Sequence, residues 1–281
     1  MRASWAWLAG AALVLSACAS GSSTAPTGPG TVSGFTVGGH VHHVALDGTD
    51  LLLGTHDGVW RQPEGEVPLR VSEPPFDVMG LALTADRMLA SGHPGPQMDA
   101  PADLGLIASA DGGATWSSVA LWGEVDFHRL TAAGDVVMGV AAADGALFRS
   151  EDAGSTWSII SGVPAIDIAV NPGDPSAVMA TTEDGVVVSA DGGRTWSTVS
   201  GGPAVWLLTW TDGAVYGVGE DGVVHASQDD GRTWSARATL PAAAMALAAD
   251  GDRVVAYADG TVLESTDGGE TFVARVTDLP T

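Results

Sequence analysis

An octet met five times, a near-constant spacing between its copies, and apolar runs broken by Asp-Gly turns in each interval together predict an all-β protein, a β-propeller of six four-stranded blades. The octet reads Ser-x-Asp-x-Gly-x-Thr-Trp/Phe, with its aspartates at Asp111, Asp152, Asp191, Asp229 and Asp267. Successive aspartates stand 41, 39, 38 and 38 residues apart, close to the length of one propeller blade. Each interval carries an apolar strand, a short polar turn, a second strand, an Asp-Gly turn, a third strand, the octet and a fourth strand, which is the content of one blade.

The octet is a corner between the third and fourth strands. Its Asp carboxylate is suited to accept backbone N–H groups of the turn, and its Gly supplies a positive φ. Its Trp is large enough to fill the seam between neighbouring sheets while the indole N–H finds a partner at the edge. The five aspartates are therefore read as structural.

In chain order the blades are expected at residues 40–73, 76–121, 126–161, 165–200, 204–239 and 243–277. The first carries Gln62-Pro63-Glu64-Gly65-Glu66 in place of an octet. Residues 31–38 are the one stretch left that could add a strand and close the ring. Turns between second and third strands read His56-Asp57-Gly58, Asp144-Gly145, Asp184-Gly185, Asp221-Gly222 and Asp259-Gly260, the chemistry of tight hairpins. Blade two departs from this, because Ser91-Gly92-His93-Pro94-Gly95 leads into an insert over residues 96–105 that carries Asp99 and Asp103. These turns share the face opposite the octets, where insertions frame binding sites.

Ahead of the blades, Met1-Arg2 and an apolar run over residues 5–17 have the short charged start and brief apolar core of an export signal, too short to span a bilayer. The run ends in Leu15-Ser16-Ala17-Cys18, and Cys18 is the only cysteine, so no disulfide can form within the chain. Residues 1–17 are thus expected to be a signal peptide. Residues 18–34, rich in Gly, Ser, Thr, Ala and Pro, are expected to be a flexible tether, and residues 35–281 a single propeller domain.

The net charge of -23 arises from 34 acidic residues against 11 basic ones, all of them Arg. Nucleic acid is excluded as a partner, since its binding draws on neutralised phosphates. Anionic lipid head groups are disfavoured for the same reason, so attachment to a membrane has to come through acyl chains.

Chemistry concentrates in the histidines, six of seven of which precede residue 129. His40 and His42 alternate on the expected inner strand of blade one and so face one side. His56 and His93 occupy corresponding turns of blades one and two. Phe76-Asp77 and Asp126-Phe127-His128 open the inner strands of blades two and three. His40, His42, His56, His93 and His128, with Asp77 and Asp126, are the candidate ligand or metal residues, expected at one mouth of the channel. Neutral imidazoles with a carboxylate suit a transition metal such as Zn or Cu. No contiguous metal motif of the His-Glu-x-x-His kind is present.

The octet resembles, residue for residue, the Asp box or bacterial neuraminidase (BNR) repeat of sialidases and other β-propellers, in which the box is a corner remote from the pocket. Leu15-Ser16-Ala17-Cys18 resembles a bacterial lipobox, which implies cleavage before Cys18, lipidation of Cys18 and anchoring to the outer face of the membrane. Together with His40-Val41-His42, Ser91-Gly92-His93-Pro94-Gly95 and Asp126-Phe127-His128, these features resemble bacterial lipoproteins described as glycosylhydrolase-like or exo-sialidase-like. Two functional classes follow. One is a surface-tethered binding or assembly module with a glycan or protein ligand, as for Asp-box relatives among photosystem assembly factors and receptor ectodomains. The other is a glycoside hydrolase, a sialidase-like exo-glycosidase. A sialidase would need an Arg triad, a Tyr nucleophile paired with a Glu, and an acid/base Asp. The chain offers only Tyr216 and Tyr257, and Arg149, Arg194 and Arg232 belong to octet corners. Asp77 with Asp126 is the carboxylate pair that another glycosidase mechanism would use.

Overall fold

The protein is described by a computed structural model covering residues 26–160 and 163–281, so the export segment and Cys18 lie outside the described residues. It is all-β among the described residues, in six sheets that are antiparallel but for one added strand. The blades occupy residues 41–70, 77–120, 127–160, 167–198, 207–239 and 246–276, each inside the boundaries expected from the octet spacing.

The first strand of every blade is innermost. These strands are Val41–Asp47, Asp77–Leu83, Phe127–Ala133, Asp167–Val170, Leu207–Trp210 and Ala246–Asp250. Each packs against the next, and the last packs against the first, which closes the ring. Residues from all six line a central cavity of about 220 Å³.

Six apolar clusters hold the molecule together, and each is the seam between two neighbouring blades. Trp116, Trp157, Trp196, Trp234 and Phe272 each pack into the seam between their own blade and the preceding one. The aromatic ring does there what no single sheet can do, covering the apolar face that the twist of two sheets leaves between them.

The octets explain their own composition. At the blade-two corner the Ser109 hydroxyl donates to Asp111 Oδ1 (2.7 Å) and accepts from the buried Gly113 N–H (2.9 Å). Asp111 then accepts from the Thr115 N–H (2.9 Å) and hydroxyl (2.6 Å), and the Trp116 indole N–H donates to the Gly113 carbonyl (2.9 Å). The Ser, Asp and Thr bonds recur at all five corners. Gly113 sits at φ 95, and the residue before it is also left-handed, even where it is Ala153 (φ 56) or Asp230 (φ 57). The hydrogen bonds to Thr, then to Ser, hold the exposed carboxylates of Asp111, Asp152 and Asp191 down to a pKa of about 2.

The seam between blades six and one has no octet from blade one and is closed by charge. Arg275, on the outer strand Val273–Val276, donates to Gln62 Oε1 (2.6 Å), the Gln62 carbonyl (3.2 Å), the Thr49 carbonyl (2.9 Å) and Glu264 (3.2 Å). Arg253 also reaches across to the carbonyls of Gly48 and Thr49.

One expectation is corrected here. The segment before residue 35 is not tether throughout: Thr27–Val32 forms a fifth strand on the outside of blade six, parallel to Val273–Val276. The Ala274 N–H donates to the Pro26 carbonyl (3.0 Å), the Thr277 N–H to the Val32 carbonyl (3.0 Å), and the Thr31 hydroxyl to the Ala274 carbonyl (2.6 Å). Pairing to an outer edge is made by backbone groups, so it needs no alternation of apolar side chains. The strand covers an edge and takes no part in closing the ring.

Candidate ligand and metal site at one mouth

Inner strands begin, and second strands end, at the face opposite the octets. The structure brings the candidate residues together there as two constellations rather than one. The first joins His42 of inner strand one, His56 of the turn after strand Asp50–Thr55, and Asp77 at the start of inner strand two. His42 Nε2 is 3.3 Å from His56 Nδ1 and 3.8 Å from Asp77 Oδ1, and His56 Nδ1 is 2.9 Å from Asp77 Oδ1. That last approach is close but off the hydrogen-bond line, so the buried Asp77 Oδ1 is left without a hydrogen bond. His40 precedes the strand, its ring 5.2 Å from that of His42, and its carbonyl accepts from the His56 N–H (3.2 Å). It borders the constellation without joining it.

The second constellation repeats the plan one blade on. His93 ends the second strand of blade two, Asp126 precedes the inner strand of blade three, and His128 lies on that strand. Asp126 Oδ2 is 2.8 Å from His128 Nε2 and 3.4 Å from His93 Nε2, while its Oδ1 is buried without a partner. The residue 96–105 insert folds back over this site: the Ala102 carbonyl is 2.9 Å from His93 Nδ1, and Asp103 lies 3.7 Å from the same nitrogen. With a proton on Nδ1 bonded to Ala102, the other nitrogen of a neutral His93 presents a lone pair to a carboxylate oxygen. That arrangement asks for a cation between them, whether a proton or a metal ion.

Electrostatics separate the members. Burial, then the neighbouring His56, lowers the pKa of His42 to about 4 although Asp77 opposes it, so this imidazole is neutral over the ordinary pH range. Burial pulls His93 down too, but its bond to Ala102 and the carboxylates of Asp126, Asp77 and Asp103 outweigh it and raise the pKa. Asp126 is raised by burial against the pull of His128 and His93. The second constellation opens into a pocket of about 400 Å³ lined also by Glu124, Asp144 and Phe148.

Sequence reasoning missed other residues of this mouth. His43 is half-buried, and its Nε2 donates to the carbonyls of Met79 (2.7 Å) and His128 (3.2 Å), which makes it a structural histidine. Asp167, which is buried, accepts from the backbone N–H groups of Ile168 and Leu208 and lies 3.5 Å from Arg129. Trp206 and Met245 precede the inner strands of blades five and six and stand 49% and 44% exposed. The start of an inner strand is the signal that would have found Asp167, Trp206 and Met245. Strand alternation, which puts His40 and His42 on one side, puts His43 on the other.

Fold and mouth together define a six-bladed β-propeller with paired His-carboxylate constellations at the end opposite its corner repeats. No family model matches the chain, and no curated protein matches its sequence. Among solved structures it is similar to YCF48 bound to D1 peptide, at 16% identity and TM-score 0.51, covering 89% of this chain and 86% of that one. It is also similar to the WD40 β-propeller domain of Doa1, at 12% identity and TM-score 0.60, over 84% of this chain and 81% of that one. An ancestral GH74 enzyme is matched at 14% identity and TM-score 0.55, where 85% of this chain spans only 37% of the enzyme. Likeness at these identities is likeness of fold.

Proposed function

We propose that this protein is an exported, lipid-anchored propeller that acts as a binding or assembly module and takes its ligand at the His-carboxylate mouth with a transition-metal ion. The observation that carries the reading is the second constellation, where two imidazoles and a buried, half-unpaired carboxylate converge on one point. Two His and one carboxylate around an open position make a donor set for Zn or Cu. Ligands of a tetrahedral ion at about 2.0–2.1 Å stand roughly 3.3 Å apart; the three separations in the first constellation and the two from Asp126 in the second lie between 2.8 and 3.8 Å, and all ligand atoms of each group lie within 4.8 Å of one another.

The lipobox resemblance at Cys18 and the Asp-box resemblance of the octets support the location and the class. YCF48, a propeller solved with a peptide, shows that such a fold can serve as a peptide-binding module. The glycoside hydrolase reading has less behind it. Tyr216 and Tyr257 are buried in the seams, with their hydroxyls donating to the carbonyls of Gly251 and Pro280, so neither phenol is exposed to a substrate. Calorimetric titration of the full chain with Zn and Cu tests the proposal, against a His56→Ala/His93→Ala variant that removes one exposed ligand from each constellation. Stoichiometric binding lost in the variant is expected. Equal heats from both proteins would refute a metal at this mouth.

A further inference from the structure

Strand pairing carries information that the two constellations do not use. In blades one, two and three the inner strand slips register against its neighbour at the same place, between Val41 and His43, between Val78 and Gly80, and between Phe127 and Arg129. The inner strands of blades four, five and six pair without a slip. The three residues set free by the bulges are His42, Met79 and His128. A bulge leaves its extra residue outside the ladder and re-aims the side chain, which is why bulges gather beside functional sites. Here His43 ties two of them together by donating to the Met79 and His128 carbonyls.

All three bulge residues line one cavity of about 150 Å³, with Val41, Arg129 and Met245. His42, Met79 and His128 come from three inner strands and Met245 from the residue just before a fourth, so two histidines and two methionines border one small space. The methionines need an explanation of their own. Met88, Met138 and Met179 are buried in the seams as apolar filler, whereas Met245 stands 44% exposed beside histidines. Each imidazole spends its Nε2 on its own constellation and has no hydrogen bond at Nδ1 among the described residues.

We propose that this cavity is a cuprous-ion site, in which Met79 and Met245 supply thioether sulfur and His42 and His128 supply imidazole nitrogen. Thioethers are soft donors that select Cu(I) and contribute little to Zn(II). Arg129 borders the cavity, and its repulsion falls half as heavily on a monovalent ion as on a divalent one. A neutral imidazole has one lone pair, so His42 and His128 serve either this soft position through Nδ1 or the carboxylate-bearing constellations, which suit divalent ions, through Nε2. The inference rests on the reading of the mouth as a metal-binding site and specifies the metal.

The test is Cu(I) affinity of the full chain, measured anaerobically in competition with a coloured Cu(I) chelator, beside Zn(II) affinity by calorimetry. A Met79→Leu/Met245→Leu variant nearly conserves side-chain volume and should keep its melting temperature, and Met179→Leu, buried in a seam, serves as control. The double variant is expected to lose Cu(I) affinity by about tenfold or more while Zn(II) affinity is unchanged, and X-ray absorption of the copper-loaded protein is expected to show sulfur neighbours. Unchanged Cu(I) affinity, or only nitrogen and oxygen around the copper, would overturn the cuprous site and leave the metal-binding mouth standing if Zn(II) still bound. Failure of both metals to bind would overturn both.

Discussion

Arg275 and Gln62 lie 213 positions apart in the chain, yet the guanidinium Nε donates to the amide oxygen at 2.6 Å, and this buried bond spans the seam where the first and last blades meet. Every other seam has an octet Trp or Phe wedged into it. This one has Trp60, whose indole nitrogen is buried without a partner, and the polar clamp of Arg275, Arg253, Glu264 and Gln62.

Arg275→Met should therefore weaken the ring at its closure. It keeps apolar volume but leaves the Gln62 amide oxygen and part of Glu264 without a donor in a nearly closed site. Removing one partner of a buried charged pair costs about 3–5 kcal/mol, and the retained Arg253 to Glu264 contact puts the expected loss at the lower end, about 3 kcal/mol. Urea unfolding of the two proteins measures it. A loss under about 1 kcal/mol would show that the seam is held by its apolar cluster alone.

At the corners, Ser150→Ala removes the hydroxyl that accepts the buried Gly154 N–H at 2.8 Å. An unsatisfied buried donor costs about 1–3 kcal/mol, and metal binding at the other face should be untouched. Asp191→Ala should likewise lower the melting temperature without changing metal affinity, because its carboxylate holds Thr195 and Arg194 backbone groups far from the mouth. A corner variant of full stability that had lost metal would contradict the structural role of the octets.

Acid sensitivity follows from the same carboxylates. The folded pKa of Asp111, Asp152 and Asp191 is lowered to about 2, and those of Asp229 and Asp267 are lowered as well, chiefly by hydrogen bonds from Thr. A depressed folded pKa means that the stabilisation is fully present above the unfolded value near 3.9 and is lost as pH falls from there toward about 2. Melting temperature should thus drop steeply between about pH 4 and pH 2. An Asp191→Asn variant, which cannot titrate at that corner, should show a shallower drop, and parallel curves would count against this account.

For the anchor, Cys18→Ser should move the protein from the membrane fraction to the soluble fraction of cells that export it. Fractionation and immunoblotting provide the measurement. Retention in the membrane fraction at the original level would remove the lipobox reading of Leu15-Ser16-Ala17-Cys18.

Much of the architecture could be read from one repeated corner. The octet carries its own hydrogen-bond logic within eight residues, so Ser109 to Trp116 announces a turn whatever surrounds it, and the spacing of such turns counts blades. The mouth was legible where chemistry coincided with a strand start or a second-to-third strand turn, as at Asp77 and His56. What remained hidden depends on pairing between strands. The bulges that free His42, Met79 and His128 arise from register, and register is settled by neighbours distant in sequence. Gly80 and Arg129 carry no local mark of it. The strand Thr27–Val32 was hidden for a related reason, since it pairs through backbone atoms to an edge 240 or more residues away.

That N-terminal strand fixes a polarity for the whole molecule. The outer strand of a blade runs from the corner repeats toward the mouth, and Thr27–Val32 runs parallel to one, so the chain enters at the corner pole and first reaches the mouth near the end of that strand. The segment ahead of Pro26 is therefore joined to the pole farthest from the histidines. Pulled on by that segment, the propeller hangs like a lamp from its base. A tether through that segment would fasten the propeller at the pole opposite the histidine mouth, and a bulky ligand at the mouth would not meet whatever holds the other pole.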